Sequence, residues 1–235
     1  MSTTTELVLL TFGCCGILLA LTLFGEFLRQ RHPADQPNPV LETYMTRIQS
    51  WWAMVLLLSL ALLSGPTGVV VLFGFASFAA LREFLTLTTK SQADHWSLAL
   101  AFFVILPLQY VFVGMGWVGM FTVFIPVYGF LMLPMVSALR RDSTRFLIRV
   151  AETQWALMMT VFCLSHVPAL VTLDLPGFEG REVLLIAFLA LVVQFGDLLD
   201  FFFGRRIGKT RIAPEITPKT VEGMICGIGS AMLIG

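Results

Sequence analysis

The chain has 235 residues, of which 57% are hydrophobic and only 13% are charged, and its mean hydropathy is +0.86. Soluble domains carry about 25% charged residues, so the composition excludes an ordinary soluble protein and indicates a polytopic membrane protein. The formal net charge of zero argues against a nucleic-acid partner. The predicted fold class is all-α, because helices satisfy their own backbone hydrogen bonds in lipid.

Seven apolar runs are long enough to cross a bilayer, which takes about 17 to 25 helical residues. They lie at 6–28, 48–64, 67–89, 96–113, 117–139, 152–173 and 183–203. The Gly65-Pro66 break between the second and third runs predicts a tight turn. An eighth run begins near Pro218, and residues 223–235 supply about 20 Å of helix. A bilayer core is about 30 Å thick, so we expect this chain to be a fragment of a longer protein.

Charge asymmetry orients the predicted helices. With the N-terminus outside, all but Arg181 of the 15 Lys and Arg residues fall in cytoplasmic loops or at the helix ends beside them. Cytoplasmic loops of membrane proteins carry such an excess of cations. The loop at 204–220 is therefore predicted to be cytoplasmic, within a single transmembrane domain that covers residues 1–235.

Two carboxylates stand at the end of the seventh run. Asp197 and Asp200 are spaced i, i+3 on one face of the predicted helix, and Gly204 leaves space beside them. Charges in membrane segments are functional candidates because they are costly to bury in lipid. Mg²⁺ usually takes one or two carboxylates plus waters and substrate phosphates, so the pair is a candidate metal site. The structural alternative is an acid pair neutralised by Arg205 or Arg206.

The loop that follows predicts an anion site. Pro214 and Pro218 prevent a helix from continuing through it. Thr217-Pro218 is typical of an N-cap followed by proline at the first helical position, which predicts a new helix with Lys219 and Thr220 in its first turn. Main-chain amides at a helix start bind anions, so we expect phosphate groups to bind here.

Several residues within 196–223 follow one ordered pattern. They are Asp197, Gly204, Arg205, Gly208, Lys209, Pro214, Pro218, Lys219, Thr220, Glu222 and Gly223. The pattern resembles the CDP-diacylglycerol synthase (phosphatidate cytidylyltransferase) family, and Arg82-Glu83-Phe84 is similar to an element near the front of those proteins. Asp200 and Phe201 stand where the family usually has Ala-Tyr. The family's second signature, with Lys-Asp and Gly-His-Gly-Gly elements, does not occur in the chain, so residues 196–223 are expected to be part of an active site.

The resemblance implies that CTP and phosphatidic acid react to give CDP-diacylglycerol and pyrophosphate in phospholipid biosynthesis. It implies Mg²⁺ as cofactor, with Asp197 as the favoured ligand and Asp200 as a second candidate. The implied catalytic residues are Asp197, Lys219 and Glu222, with Glu222 either orienting Lys219 or supporting the metal. The implied phosphate-binding residues are Arg205, Lys209, Lys219, Thr220 and the main chain at Pro218.

The implied partners are CTP, phosphatidic acid and membrane lipids, with a homodimer as a candidate assembly and no nucleic acid. The implied location is the bacterial inner membrane, with the active site facing the cytoplasm. Three alternatives stay open: a CTP-dependent polyprenol kinase, a transporter, and a catalytically inactive paralogue that acts as a partner subunit. No internal repeat typical of a transporter is found in the sequence.

A second basic cluster has helical spacing at the predicted membrane surface. Its members are Arg140, Arg141, Arg145 and Arg149. Such a cluster can hold an anionic lipid headgroup, but a purely topological role is the favoured interpretation.

Overall fold

The computed structural model is almost entirely helical in its described part and contains no strand there. The described residues are 3–31, 39–88, 94–139, 142, 144–173, 181–212, 217 and 219–234. The α-helices are α1 (Thr3–Arg31), α2 (Pro39–Leu63), α3 (Pro66–Thr86), α4 (His95–Leu100), α5 (Leu106–Gly114), α6 (Val118–Val123), α7 (Phe130–Ala138), α8 (Phe146–Leu157), α9 (Cys163–Ala169), α10 (Glu182–Arg206) and α11 (Val221–Ile234).

Seven helical stretches of the described chain are long and apolar enough to cross a membrane, which confirms the predicted all-α membrane fold. They are Thr5–Gln30, Leu41–Leu63, Pro66–Thr86, His95–Gly114, Val118–Ala138, Phe146–Thr172 and Glu182–Arg206. The apolar α11 is shorter, and the orientation of the N-terminus stays a prediction.

Two spans begin earlier than hydropathy predicts. The second was expected from residue 48 and the sixth from residue 152, but α2 begins at Pro39 and α8 at Phe146. In both helices a charged residue lies within the first four positions, Glu42 in α2 and Arg149 in α8. Hydropathy detects only the apolar part of a helix, so it places these two starts too late.

The turn between α2 and α3 is the one predicted at Gly65-Pro66. Gly65 adopts a φ of 79°, a left-handed conformation that favours glycine, and Pro66 begins α3. The structure divides into two compact units, Met1–Arg181 and Glu182–Gly235, each with its own internal packing. The expectation of one transmembrane domain over 1–235 stays a prediction.

The first unit has a core built around three π-helical turns. These turns are Ala101–Ile105, Phe124–Gly129 and Met158–Phe162, and they interrupt the fourth, fifth and sixth spans. Pro107 and Pro126 lie beside or within two of them and have no N–H to donate to the regular helical ladder. Ile105, Ile125 and Val161 from these turns are fully buried together in the core.

Arg149 is buried in an ion cluster of the first unit, so this member of the basic cluster is not available to a lipid headgroup. Its Nε lies 3.1 Å from Asp94 Oδ1, and its Nη1 lies 2.9 Å from Asp142 Oδ2. Nη1 also donates to the Thr144 carbonyl. The Arg149 side chain therefore connects the start of α4 with the segment before α8. Arg140 and Arg141 lie outside the described residues.

Candidate active site

The two acids of α10 converge on one lysine. Lys219 Nζ lies 2.7 Å from Asp200 Oδ2 and 3.1 Å from Asp197 Oδ1. The Asp200 side chain is 10% exposed and that of Asp197 is 46% exposed, so the group extends from a buried acid to an accessible one. Hydrogen bonds to Asp200 and Asp197 raise the pKa of the Lys219 ammonium above its usual value. The acid pair thus has a lysine counterion from the loop, whereas the structural alternative to a metal site named Arg205 or Arg206.

A short pairing of two loop segments brings Lys219 to this position. Arg211 and Thr220 form an isolated antiparallel bridge. The Ile212 amide donates to the Lys219 carbonyl at 3.1 Å, and the Val221 amide donates to the Thr210 carbonyl at 2.9 Å. Residues 210–212 and 219–221 therefore lie side by side, and this pairing holds Lys219 beside α10.

The predicted start of the last helix was wrong by three residues. Thr220, not Thr217, is the N-cap of α11: its Oγ1 accepts a hydrogen bond from the Gly223 amide, and the helix begins at Val221. Thr217 Oγ1 instead accepts from the Lys219 amide before the helix. Lys219 and Thr220 consequently precede the first turn, because the pairing with residues 210–212 keeps them out of the helix.

Glu222 is held by main-chain amides. Its Oε2 accepts from the Lys209 amide at 3.1 Å, and both of its carboxylate oxygens lie 3.2 Å from the Thr210 amide. The family resemblance implies that this side chain orients Lys219 or supports a metal ion, and both roles stay predictions. In the structure its carboxylate contacts the segment that follows α10.

Glycines let α10 and α11 approach very closely. A Cβ added to Gly223 would lie 2.7 Å from both the Asp200 carbonyl oxygen and Gly204 Cα. One added to Gly227 would lie 2.9 Å from Asp200 Cβ. Small residues permit such contact between membrane helices. The close approach brings the start of α11 beside Asp200.

The predicted phosphate-binding residues occupy different environments. Arg205 and Arg206 stack on aromatic rings of their own helix, with the Arg205 guanidinium carbon 4.6 Å from the centre of the Phe201 ring. Lys209 is exposed, whereas Thr220 is 7% exposed and uses its hydroxyl as a cap. Pro214 and Pro218, which the sequence places in the same site, lie outside the described residues.

The acids of α10 have a donor set that fits one divalent cation. Both carboxylates already point at a single cationic atom, Lys219 Nζ, and Mg²⁺ in proteins is commonly held by one or two carboxylates together with substrate phosphates. Among the described residues no group of three or more His, Cys, Asp and Glu residues could hold a metal ion. A metal ion here would therefore depend on these two acids and on ligands from a bound substrate.

The sequence predicts that the two acids, the loop and Lys219 lie together at one end of α10. The sequence does not predict the pairing of residues 210–212 with residues 219–221, since such short loop segments have no strand-like alternation of apolar side chains. Nor does the sequence predict the contacts of Glu222 with the amides of Lys209 and Thr210. Gly223 and Gly227 are spaced i, i+4, which is typical of small residues where membrane helices pack, but the spacing does not identify Asp200 as their neighbour.

Comparisons with known proteins identify a family and several relatives of this chain. The sequence profile of the cytidylyltransferase family matches residues 45–235. The uncharacterized protein YnbB of Escherichia coli is 32% identical over 222 residues, which are 93% of this chain and 70% of that protein. The phosphatidate cytidylyltransferases of Chlamydia trachomatis and Chlamydia muridarum are each 33% identical over 85 residues, which are 32% of this chain and 28% of those proteins. No solved structure matches the chain.

The family match covers most of the chain and includes every residue of the acid, lysine and loop arrangement. The chain belongs to the cytidylyltransferase family.

Proposed function

We propose that the protein is a phosphatidate cytidylyltransferase, which uses CTP and phosphatidic acid to form CDP-diacylglycerol and pyrophosphate. The observation that carries the proposal is the convergence of Asp197, Asp200 and Lys219 at one end of a membrane-length helix. A phosphate of a lipid and a phosphate of a nucleotide can meet at such a membrane-surface site. Membership of the cytidylyltransferase family and the relatives in Chlamydia support the same chemistry.

In the proposed reaction an oxygen of the lipid phosphate attacks the α-phosphorus of CTP. A new bond forms between that oxygen and the α-phosphorus, the bond between the α-phosphorus and the bridging oxygen breaks, and pyrophosphate leaves. Both reactants are anionic, so their mutual repulsion must be neutralised before they can approach. Positioning and charge neutralisation are therefore the main contributions expected of this chain.

Asp197 and Asp200 are the proposed ligands of Mg²⁺, which would neutralise charge on the phosphates when bound. Lys219 contacts both acids and is proposed to contact a phosphate of CTP. Arg205 and Lys209, at the end of α10 and just beyond it, are proposed to attract the remaining phosphates. Each guanidinium or ammonium group supplies donors that suit phosphate oxygens.

The proposed location is the bacterial inner membrane, with this site facing the cytoplasm where CTP is present. The excess of cations in the predicted cytoplasmic loops supports that orientation. CTP, phosphatidic acid and membrane lipids are the proposed partners, and a homodimer is a proposed assembly.

Incubation of the natural full-length protein with phosphatidic acid vesicles, Mg²⁺ and CTP labelled at the α-phosphate tests the proposal. Label is expected in the lipid fraction, and Asp197→Asn is expected to remove it. Glu182→Gln, at the opposite end of α10, is the matched control and should keep the activity. Label that enters the lipid only from the γ-phosphate would instead identify a CTP-dependent kinase. Wild-type turnover by Asp197→Asn would disprove the proposed metal site.

A further inference from the structure

The carboxylate of Glu222 joins two parts of the second unit that are distant in the chain. Its partners are the amides of Lys209 and Thr210, which are 13 and 12 residues away. Both amides belong to the segment that leaves α10, whereas Glu222 lies in the first turn of α11. The Glu222 side chain therefore joins the first residues of the loop after α10 to the start of α11.

From this contact a continuous set of hydrogen bonds leads to Lys219. Thr210, whose amide donates to Glu222, accepts from the Val221 amide through its carbonyl. Two residues further on, the Ile212 amide donates to the Lys219 carbonyl. The main chain of Lys219 is thus fixed by a segment whose own start is held by Glu222.

We propose that Glu222 is a positioning residue that orders segment 209–212 and, through it, places Lys219 between Asp197 and Asp200. The inference rests on the proposed function in one respect: ordering of Lys219 matters for turnover only if this site binds CTP. Glu222 then acts by accepting hydrogen bonds from main-chain amides. It needs neither to bind a metal ion nor to transfer a proton.

The contacts of Glu222 favour this role over a chemical one. Both of its oxygens already accept hydrogen bonds from amides, while the convergent acids beside Lys219 are Asp197 and Asp200. Amide hydrogen bonds favour the ionised carboxylate, and the pKa of Glu222 is accordingly lowered by its own amide and by those of Thr210 and Lys209. A carboxylate held in this way is a poor proton acceptor near neutral pH.

The test compares Glu222→Ala with Glu222→Gln in the natural full-length protein. Glutamine keeps one oxygen that can accept from an amide, whereas alanine keeps none. Amide hydrogen exchange over residues 208–212, measured by mass spectrometry, is expected to become about tenfold faster or more in Glu222→Ala and much less so in Glu222→Gln. Acylation of Lys219 by an amine-reactive ester should also rise in Glu222→Ala, because the ammonium is released from the two acids.

The kinetic readout separates positioning from chemistry. A positioning role predicts that kcat/KM for CTP falls by about 10- to 100-fold in Glu222→Ala, with KM raised, and is largely restored in Glu222→Gln. Glu182→Ala, at the far end of α10, is the control and should change none of the three measurements. Equal loss of activity in both Glu222 variants, with exchange as in the wild type, would overturn the inference. Amide hydrogen exchange over residues 208–212 that is unchanged in Glu222→Ala would also overturn the inference.

The exchange and acylation measurements do not require turnover. If the wild-type protein forms no CDP-diacylglycerol, the proposed function fails, while faster exchange and faster acylation of Lys219 in Glu222→Ala still support the positioning role.

Discussion

Lys219 Nζ is closer to Asp200 than to Asp197, at 2.7 Å against 3.1 Å, although Asp197 and not Asp200 belongs to the pattern that carries the family resemblance. The buried acid therefore makes the shorter contact with the lysine that the proposed mechanism uses. Asp200 thus takes part in the site of this chain as directly as Asp197 does.

Replacement of Asp200 by asparagine is expected to lower kcat/KM for CTP by at least about tenfold, since loss of a residue that only supports a metal ligand already costs about 10- to 100-fold. The reason is that the neutral amide would remove one of the two negative charges that hold Lys219 and a metal ion. Steady-state assays at several Mg²⁺ concentrations would show the effect as a raised requirement for Mg²⁺. Unaltered kinetics in Asp200→Asn would mean that Asp197 alone serves the site.

Gly223→Ala is expected to destabilise the second unit by about 1–3 kcal/mol, the usual cost of overpacking. The new methyl group would meet the Asp200 carbonyl oxygen and Gly204 Cα, and both of these are backbone atoms that cannot rotate away. Thermal unfolding in detergent measures the loss as a lower Tm. Gly229→Ala is the control on the same helix, since nothing lies within 4 Å of its added Cβ. A Tm equal to that of Gly229→Ala would contradict the close packing of α10 and α11.

Arg149→Met is expected to destabilise the first unit by about 3–5 kcal/mol, as is usual when one partner of a buried ion pair is removed. The substitution deprives the Asp94 carboxylate, which is 4% exposed, of its contact with the guanidinium. Adding Asp94→Asn to Arg149→Met should recover part of the lost Tm because it removes that buried charge. Arg82→Met is the control, because Arg82 is exposed at the end of α3. Equal Tm values for Arg149→Met and Arg82→Met would show that the buried cluster does not stabilise the unit.

The pH dependence of the loop follows from Glu222. Its lowered pKa means that the amide contacts stabilise the loop fully above the usual value of 4.5 and lose this contribution as the pH falls through the lowered value. Exchange protection over residues 209–210, corrected for the intrinsic rate, is therefore expected to stay constant from about pH 8 to about pH 5. Loss of protection already at about pH 6 would show that the carboxylate is not held by these amides.

The number of spans could be predicted from the sequence because each membrane helix corresponds to a local run of apolar residues between Gly, Pro and charged positions. The starts of α2 and α8 could not be predicted in this way, since a charged residue, Glu42 or Arg149, lies in the first turn of each helix and ends the apolar run there. Arg149 shows the same limit: its partner Asp94 is 55 residues away, and no local pattern connects the two.

The candidate site was predictable as a set of residues but not as a geometry. The order from Asp197 to Gly223 identified the segment, and helical spacing put both acids on one face. The start of α11 was misplaced at Thr217 because Thr-Pro is a strong local signal for a helix start. The hydrogen bonds between 210–212 and 219–221 outweigh that signal and move the cap to Thr220.

The most direct test of the central claim is the transfer of label from CTP to phosphatidic acid by the natural full-length protein, compared with Lys219→Met. The account predicts that α-phosphate label enters CDP-diacylglycerol in a Mg²⁺-dependent reaction and that Lys219→Met lowers kcat/KM by about 100-fold or more, as for other groups that stabilise charge in a transition state. Full wild-type transfer by Lys219→Met, or no transfer of the α-phosphate by the wild-type protein, would contradict it.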